Sequence, residues 1–215
     1  MQTGNTSQDS FLSKILDGTQ ASGFSLEKLG ELTSFKARKE YCNEHLETLG
    51  TGSSRRVYDL GDGNVIKLAI NSKGYAQNEN ESEPFIVDTY SILNQTNIEL
   101  SDNDARWVVA PKLERITKQE LSEFLGASTS ELEVYFGKLN HAMLYNGDFP
   151  KEPNNVTENF DALHNLIYDV DFNACDFGKA DSFGKDSEGN IKVIDYGYTN
   201  SVFKEHYSAP KMKFR

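Results

Sequence analysis

The chain has 215 residues, with 22 basic against 33 acidic side chains and a formal charge of −11 at pH 7. Its 37% hydrophobic and 11% aromatic content supplies a core, which excludes wholesale disorder, and the length suits one domain or two small lobes. Lys and Arg are scattered through an acidic background rather than gathered in a stripe, so direct nucleic-acid binding is not expected; no apolar run approaches the ~20 residues of a membrane helix, and the opening MQTGNTSQDS is no signal sequence, so a cytoplasmic protein is expected.

In chain order, residues 11–48 read as short amphipathic helices: Phe11, Leu12, Ile15 and Leu16 fall at helix-face spacing, and Phe35, Tyr41 and Leu46 mark a second segment. From Leu49 the character changes. LGTGSSRRVYDLGDGNVIKLAI reads as a glycine-rich turn, a strand, a tight Gly-Asp-Gly-Asn turn and a second strand. A helix is predicted over residues 82–93, with Pro84 confined to its first turn, and a short apolar strand over residues 107–113. Helical signals then return. Thr117-Lys118-Gln119-Glu120 has the form of a capping box, Ser130-Glu131-Leu132-Glu133 is read as a second, and Gly126 and Gly147 are natural stops. Another helix is predicted over residues 158–168, followed by loops and by IKVIDYG, a strand ending in an abrupt turn. There is no repeat and no low-complexity linker.

The chemistry-bearing residues lie around these strands. Gly50-Thr51-Gly52-Ser53-Ser54 can expose consecutive backbone amides to a polyphosphate, although two glycines beside serines also make an ordinary turn. In the next strand, period two places Val65, Lys67 and Ala69 on one face, so Lys67 is flanked by small apolar residues. It is either an edge-strand charge set against aggregation or a lysine aimed at phosphate oxygens. A lysine of the second kind needs an acidic partner, which Glu79, Glu81 or Glu83 offers. Asp176, Asp181 and Asp195 follow in loops around an apolar strand, and Asp195, directly after that strand, suits a magnesium ligand. Cys42 and Cys175 make neither a CxxC pair nor a metal spacing and read as reduced structural thiols, so metal ligation falls to oxygens. His45, His141, His164 and His206 are too dispersed for a shared site, while Trp107, Tyr168 and Tyr196 read as core. No Ser-His-Asp order or nucleophile elbow points to a hydrolase.

Together these pieces resemble the protein-kinase-like fold. LGTGSSRRVYDLGDGNVIKLA looks like its glycine-rich loop, second strand and third-strand lysine, and VIDYG like its Asp-Phe-Gly motif. With GYAQNENE and DFGKADSFG, the chain is similar to a group of short kinase-like proteins of bacteriophages and bacteria. The resemblance implies an α+β, two-lobed fold: an N-terminal helical extension over residues 1–47, a β-rich lobe over 48–113 and a minimal helical lobe over 114–215. It implies ATP and Mg2+ as cofactors and assigns roles by position. Gly50, Gly52, Ser53 and Ser54 would cover the phosphates, Val57 and Val65 would line the adenine pocket, and Lys67 would touch the α and β phosphates. Glu81, three residues after Asn78, would be the helix glutamate. Residues 109–114, ending at Glu114, would be the hinge. Asp176 would orient the acceptor hydroxyl, with Asp171 the next candidate, and Asp181 and Asp195 would hold magnesium.

The chain departs from the pattern at named places. Arg55 stands where the third glycine would be, the catalytic-loop position reads Ala174-Cys175-Asp176 without His-Arg-Asp, and 18 residues follow Gly197. The short remainder implies a minimal second lobe, with the chain beyond Tyr198 packed back on the body, Phe203 or Tyr207 buried and no further helical subdomain. Two readings follow: a phosphotransferase acting on an unidentified protein or small-molecule acceptor, or a catalytically inactive kinase-like phage protein serving as an acidic protein-binding module or inhibitor of a host enzyme. The joint presence of Lys67, Asp176 and Asp195 favours the first.

Overall fold

A computed structural model of the chain describes residues 23–83, 86, 90–96 and 101–208. The helix face at Phe11, Leu12, Ile15 and Leu16, together with Pro84 and Pro210, lies outside the described residues. The architecture is mixed α and β, with two antiparallel sheets and, among the described residues, seven α-helices. The chain forms two compact units, Met1–Asn78 with Thr96–Lys112, and Glu79–Gln95 with Leu113–Arg215.

In the first unit, α1 (Leu26–Glu31) and α2 (Phe35–His45) begin at Ser25 and Ser34, whose hydroxyls accept the amides of Lys28 and Ala37. Strands β1 (Glu47–Thr51), β2 (Arg55–Asp59), β3 (Asn64–Ala69) and β4 (Trp107–Pro111) pair in the order β1-β2-β3-β4. Alternation gives this sheet two faces. Tyr58, Ile66, Leu68, Trp107 and Val109 join Phe24, Leu29, Tyr41 and Cys42 in one core, so α1 and α2 cover that face. Burial in this core pushes the Cys42 thiol up to about 12, the state of an inert structural cysteine.

The second unit holds β5 (Glu114–Arg115), α4 (Lys118–Leu125), α5 (Thr129–Tyr145), α6 (Glu158–Val170), two 3-10 turns (Ala174–Asp176 and Ala180–Ser182), β6 (Phe183–Lys185), β7 (Ile191–Val193) and α7 (Asn200–His206). Its sheet runs β5-β6-β7, and its core gathers Leu121, Leu125, Phe136, Leu139, Phe160, Leu163, Phe172 and Phe177. The Thr117 capping box forms as read: its hydroxyl accepts the Glu120 amide at 3.2 Å and Glu120 Oε2 accepts the Thr117 amide at 2.8 Å. The second box lies two residues earlier than expected, from Ser128 to Glu131, because Ser128 is the residue whose extended backbone (ψ 150°) turns its hydroxyl onto the Glu131 amide. Gly126 ends α4 in the left-handed region at φ 79°, where only glycine is unstrained.

Two expectations need correction. The helix predicted over residues 82–93 does not extend to Ser82, Glu83 or residues 90–93, while Ile86 is helical and the remainder of the span lies outside the described residues; ahead of it stands an unpredicted helix, α3 (Ser72–Glu81), started by Asn71, whose Oδ1 accepts the amides of Lys73 and Gly74. Pattern reading passed over it because SKGYAQNENE has no apolar stripe and buries polar side chains instead, Gln77, Asn78 and Glu81. Residues 199–208 do fold back through α7, with Thr199 bridged to Phe172, but the buried residues are Thr199, Asn200 and Val202, while Phe203 and Tyr207 are half-buried.

Candidate functional site

In the first unit, β3 is an interior strand with all six residues buried, which removes the edge-strand account of Lys67; this lysine is only 5% exposed. Val57 on β2 and Val108 on β4 lie directly opposite Lys67, and Gly50 lies opposite Val57, so the four share one row across the sheet. Residues directly opposite share a face. The adjoining row on that face carries Val65 and Ala110. One sheet face thus presents a lysine set among small apolar side chains, with the glycine-rich turn at its end.

The turn is tied down at its second half. Ser53 O accepts from Asn71 Nδ2 at 2.8 Å, and the Ser54 hydroxyl donates to Gln77 Oε1 at 2.9 Å. Ser54 is buried and engaged with α3, which leaves Gly50, Thr51, Gly52 and Ser53 as the exposed or half-exposed part of the loop. Arg55, in place of the third glycine, is buried and donates through Nη1 to Asn78 Oδ1 at 3.3 Å.

In the second unit, the structure separates the three candidate glutamates. Glu79 and Glu83 are exposed, whereas Glu81 is fully buried, and its Oε1 accepts the amides of Tyr196 at 3.3 Å and Gly197 at 3.1 Å. Asn80 reinforces this, donating from Nδ2 to Gly197 O at 2.9 Å. The end of α3 therefore fixes the backbone directly after Asp195. Glu114, the last hinge residue of the sequence reading, belongs to β5 opposite Lys185 on β6.

Asp181 and Asp195 stand at the open end of the β6–β7 hairpin. The register pairs Phe183 with Val193, and the Ile194 amide donates to Ser182 O at 2.8 Å, so the ladder continues past the named strands. Asp181 lies in the 3-10 turn Ala180–Ser182 just before β6 and Asp195 two residues after β7, and both are exposed. Among the described residues no group of three or more His, Cys, Asp or Glu side chains is arranged to hold a metal. Two carboxylates are what magnesium takes from a protein when phosphates and water complete its shell.

Asp176 ends the first 3-10 turn, half-exposed. Its Oδ1 accepts from Lys179 Nζ at 2.7 Å, a bond that raises the Lys179 pKa. Three buried asparagines hold this loop. Asn140 Oδ1 accepts the Ala174 amide at 3.0 Å, Asn173 Oδ1 accepts the Cys175 amide at 3.3 Å, and Asn200 Nδ2 donates to Asp171 Oδ1 at 2.8 Å. The Asn173 amide also donates to Tyr198 O at 2.9 Å. The loop carrying Asp176 is thereby joined to the segment that follows Gly197, and Asp171, the reserve candidate, is engaged in that join. Burial pushes the Tyr198 phenol up to about 12, with Tyr207, Asp176 and Cys175 adding to the effect.

Sequence reasoning missed Lys179 and the three asparagines. Lys179, three residues after Asp176, had a readable helical spacing; buried asparagines at separate points of the chain leave no periodic signal. No family model matches the chain, and no curated protein matches it.

Proposed function

We propose that this chain is a kinase-like protein of the short phage and bacterial type, with a minimal second lobe, that binds ATP with magnesium in the host-cell cytoplasm and transfers a phosphoryl group to an acceptor hydroxyl. The observation that carries the reading is the row of Gly50, Val57, Lys67 and Val108, which sets a buried lysine among small apolar side chains beside the glycine-rich turn; Asp181 and Asp195, exposed on either side of the β6–β7 hairpin, are hard oxygen donors that suit magnesium. Magnesium, when bound, neutralises charge on the phosphoryl group in transit. On that sheet face Val57 and Val65 offer an apolar bed for a base and Lys67 a cation for the α and β phosphates, with the turn of Gly50, Thr51, Gly52 and Ser53 at its end and the Gly52 amide tied to Arg55 O at 2.9 Å. Asp176 orients the acceptor and takes its proton, while Lys179 steadies the carboxylate.

One observation favours a second reading, a catalytically inactive kinase-like phage protein that binds a host or phage protein partner: Ser54 and Arg55, both in the glycine-loop stretch, are engaged with α3 rather than open to a ligand. The two are separated by nucleotide linkage. ATP with magnesium should raise the melting temperature, by a free energy of about 2.7 kcal/mol at a hundredfold excess over the dissociation constant. Lys67→Met and Asp195→Asn should each abolish the rise, and Asp176→Ala should keep it while removing transfer. An unchanged melting curve at millimolar ATP and magnesium would overturn the nucleotide reading and leave the binding module.

A further inference from the structure

Tyr168, expected in the core, stands 43% exposed at the end of α6. Tyr145 at the end of α5 is 64% exposed, and Phe149 in the loop between the two helices is 56% exposed. Among the described residues these are three of four large hydrophobic side chains left open to solvent, and all three fall in one stretch of the second unit. Singly exposed apolar residues are ordinary, but a run of exposed aromatics marks a surface for a partner.

The rings are not loose. Phe149 lies against Tyr168 with centroids 5.4 Å apart, and Tyr168 meets His164 edge-on at 5.2 Å. His164 Nε2 is 3.2 Å from the Tyr135 hydroxyl, and its Nδ1 is 3.5 Å from Glu152. The exposed pair therefore rests on an ordered base reaching into the core, so little side-chain entropy is lost when a partner covers it.

Charge identifies the partner. Asp148 adjoins Phe149, Glu152 faces His164, Asp161 lies on the α6 face of His164 and Tyr168, and Asp169, which accepts from the Tyr90 hydroxyl at 2.9 Å, follows Tyr168; the basic residue among them is Lys151. An aromatic surface in a field of carboxylates repels nucleic acid, an anionic membrane and a second copy of a chain of charge −11. It suits guanidinium groups, which stack on aromatic faces and pair bidentately with carboxylates. We propose that this surface docks an arginine-bearing segment of a protein partner, independently of whether the chain binds a nucleotide.

The test uses the full chain and a fluorescein-labelled peptide of about 12 residues alternating Arg with Leu and Ala, beside its Glu-for-Arg counterpart, read by polarisation at about 50 and about 300 mM salt. The arginine peptide should bind with a dissociation constant on the order of 10–100 µM, weaken with salt, and lose at least about tenfold in Phe149→Ser/Tyr168→Ser, while the glutamate peptide stays unbound. Both substitutions are at exposed positions, and an unchanged melting curve verifies the fold. Equal binding to the double variant would reduce the effect to the net charge of the chain and overturn the proposal. So would no binding, a wild-type dimer that the double variant dissolves, or binding that appears only when residues 209–215, with Lys211, Lys213 and Arg215, are removed, since those outcomes leave the surface unused or assign it to a second copy or to the chain itself.

Discussion

Asn200 is the residue on which the join between the Asp176 loop and the segment after Gly197 depends, and its substitution has a calculable cost. It is fully buried; Nδ2 donates to the Asp171 carboxylate at 2.8 Å, and Oδ1 accepts from Asn173 Nδ2 at 3.4 Å. Asn200→Ala keeps the backbone bond from its own amide to Asp171 O but loses all three side-chain bonds, the third being the long one from Nδ2 to Phe172 O at 3.4 Å. A hydrogen bond to a charged group is worth roughly 1.5–3 kcal/mol, and the long bond to Asn173 less than a typical one. Asp171 is exposed and regains water, whereas Asn173 is buried and does not. The sum is about 2–4 kcal/mol. Asn200→Asp keeps the shape but turns a second carboxylate toward Asp171. At neutral pH that costs about 3–5 kcal/mol, the scale of an uncompensated buried charge. The new acid is more easily protonated in the folded state than in the unfolded one, so its deficit is absent below the ordinary aspartate value near 4 and grows as pH rises above it. Urea denaturation of wild type and both variants at about pH 4.5 and pH 8, with hydrogen exchange at the Ala174 amide, measures this. A cost below about 0.5 kcal/mol for Asn200→Ala, or a deficit of Asn200→Asp that does not change with pH, would refute the network.

Two further outcomes are expected. Glu120 is held down to about 2 by its 2.7 Å bond to Lys185 and by the Thr117 amide and hydroxyl, so its stabilising effect is present above pH 4.5 and is lost as pH falls toward 2; acid titration of unfolding should show that limb flattened in Glu120→Gln. Gly74→Ala would place a Cβ 2.3 Å from Ser54 O and 2.9 Å from Ala69 Cα, both backbone atoms, so thermal unfolding should report a loss of about 3 kcal/mol or more, and a loss under about 1 kcal/mol would contradict the close approach of α3 to β2 and β3.

What was legible in the sequence was local. The β2–β3 hairpin announced itself through alternation on either side of the Gly-Asp-Gly-Asn turn, where Gly61 and Gly63 both take positive φ. Capping at Thr117 depends on a four-residue pattern and formed where it was read. Helix α3 was hidden because its structural reason is polar: Gln77 holds Ser54, Asn78 holds β3 and Ala105, and Glu81 holds the amides after Asp195, none of which gives an apolar period. The interior position of Lys67 was equally out of reach, since it depends on β4 pairing across about forty intervening residues. Tyr168 failed for the opposite reason: its composition argued for burial, while its place in α6 faces away from Leu163, Leu166 and Ile167, which fill the core.

Arg55 and Lys67 bear on one another physically. Arg55 donates to Asn78 Oδ1, and Asn78 Nδ2 donates in turn to Lys67 O at 3.4 Å and to Ala105 O at 2.9 Å, with Asn78 fully buried. Arg55 thus fastens, through one asparagine, the backbone of the strand position that carries the lysine. Gly74 lets α3 come close enough for that network to form. Arg55 and Asn78 are both satisfied within a buried set of hydrogen bonds. These bonds mount the backbone of Lys67 on α3, and any ligand of that sheet face would meet a strand whose place is set by buried hydrogen bonds.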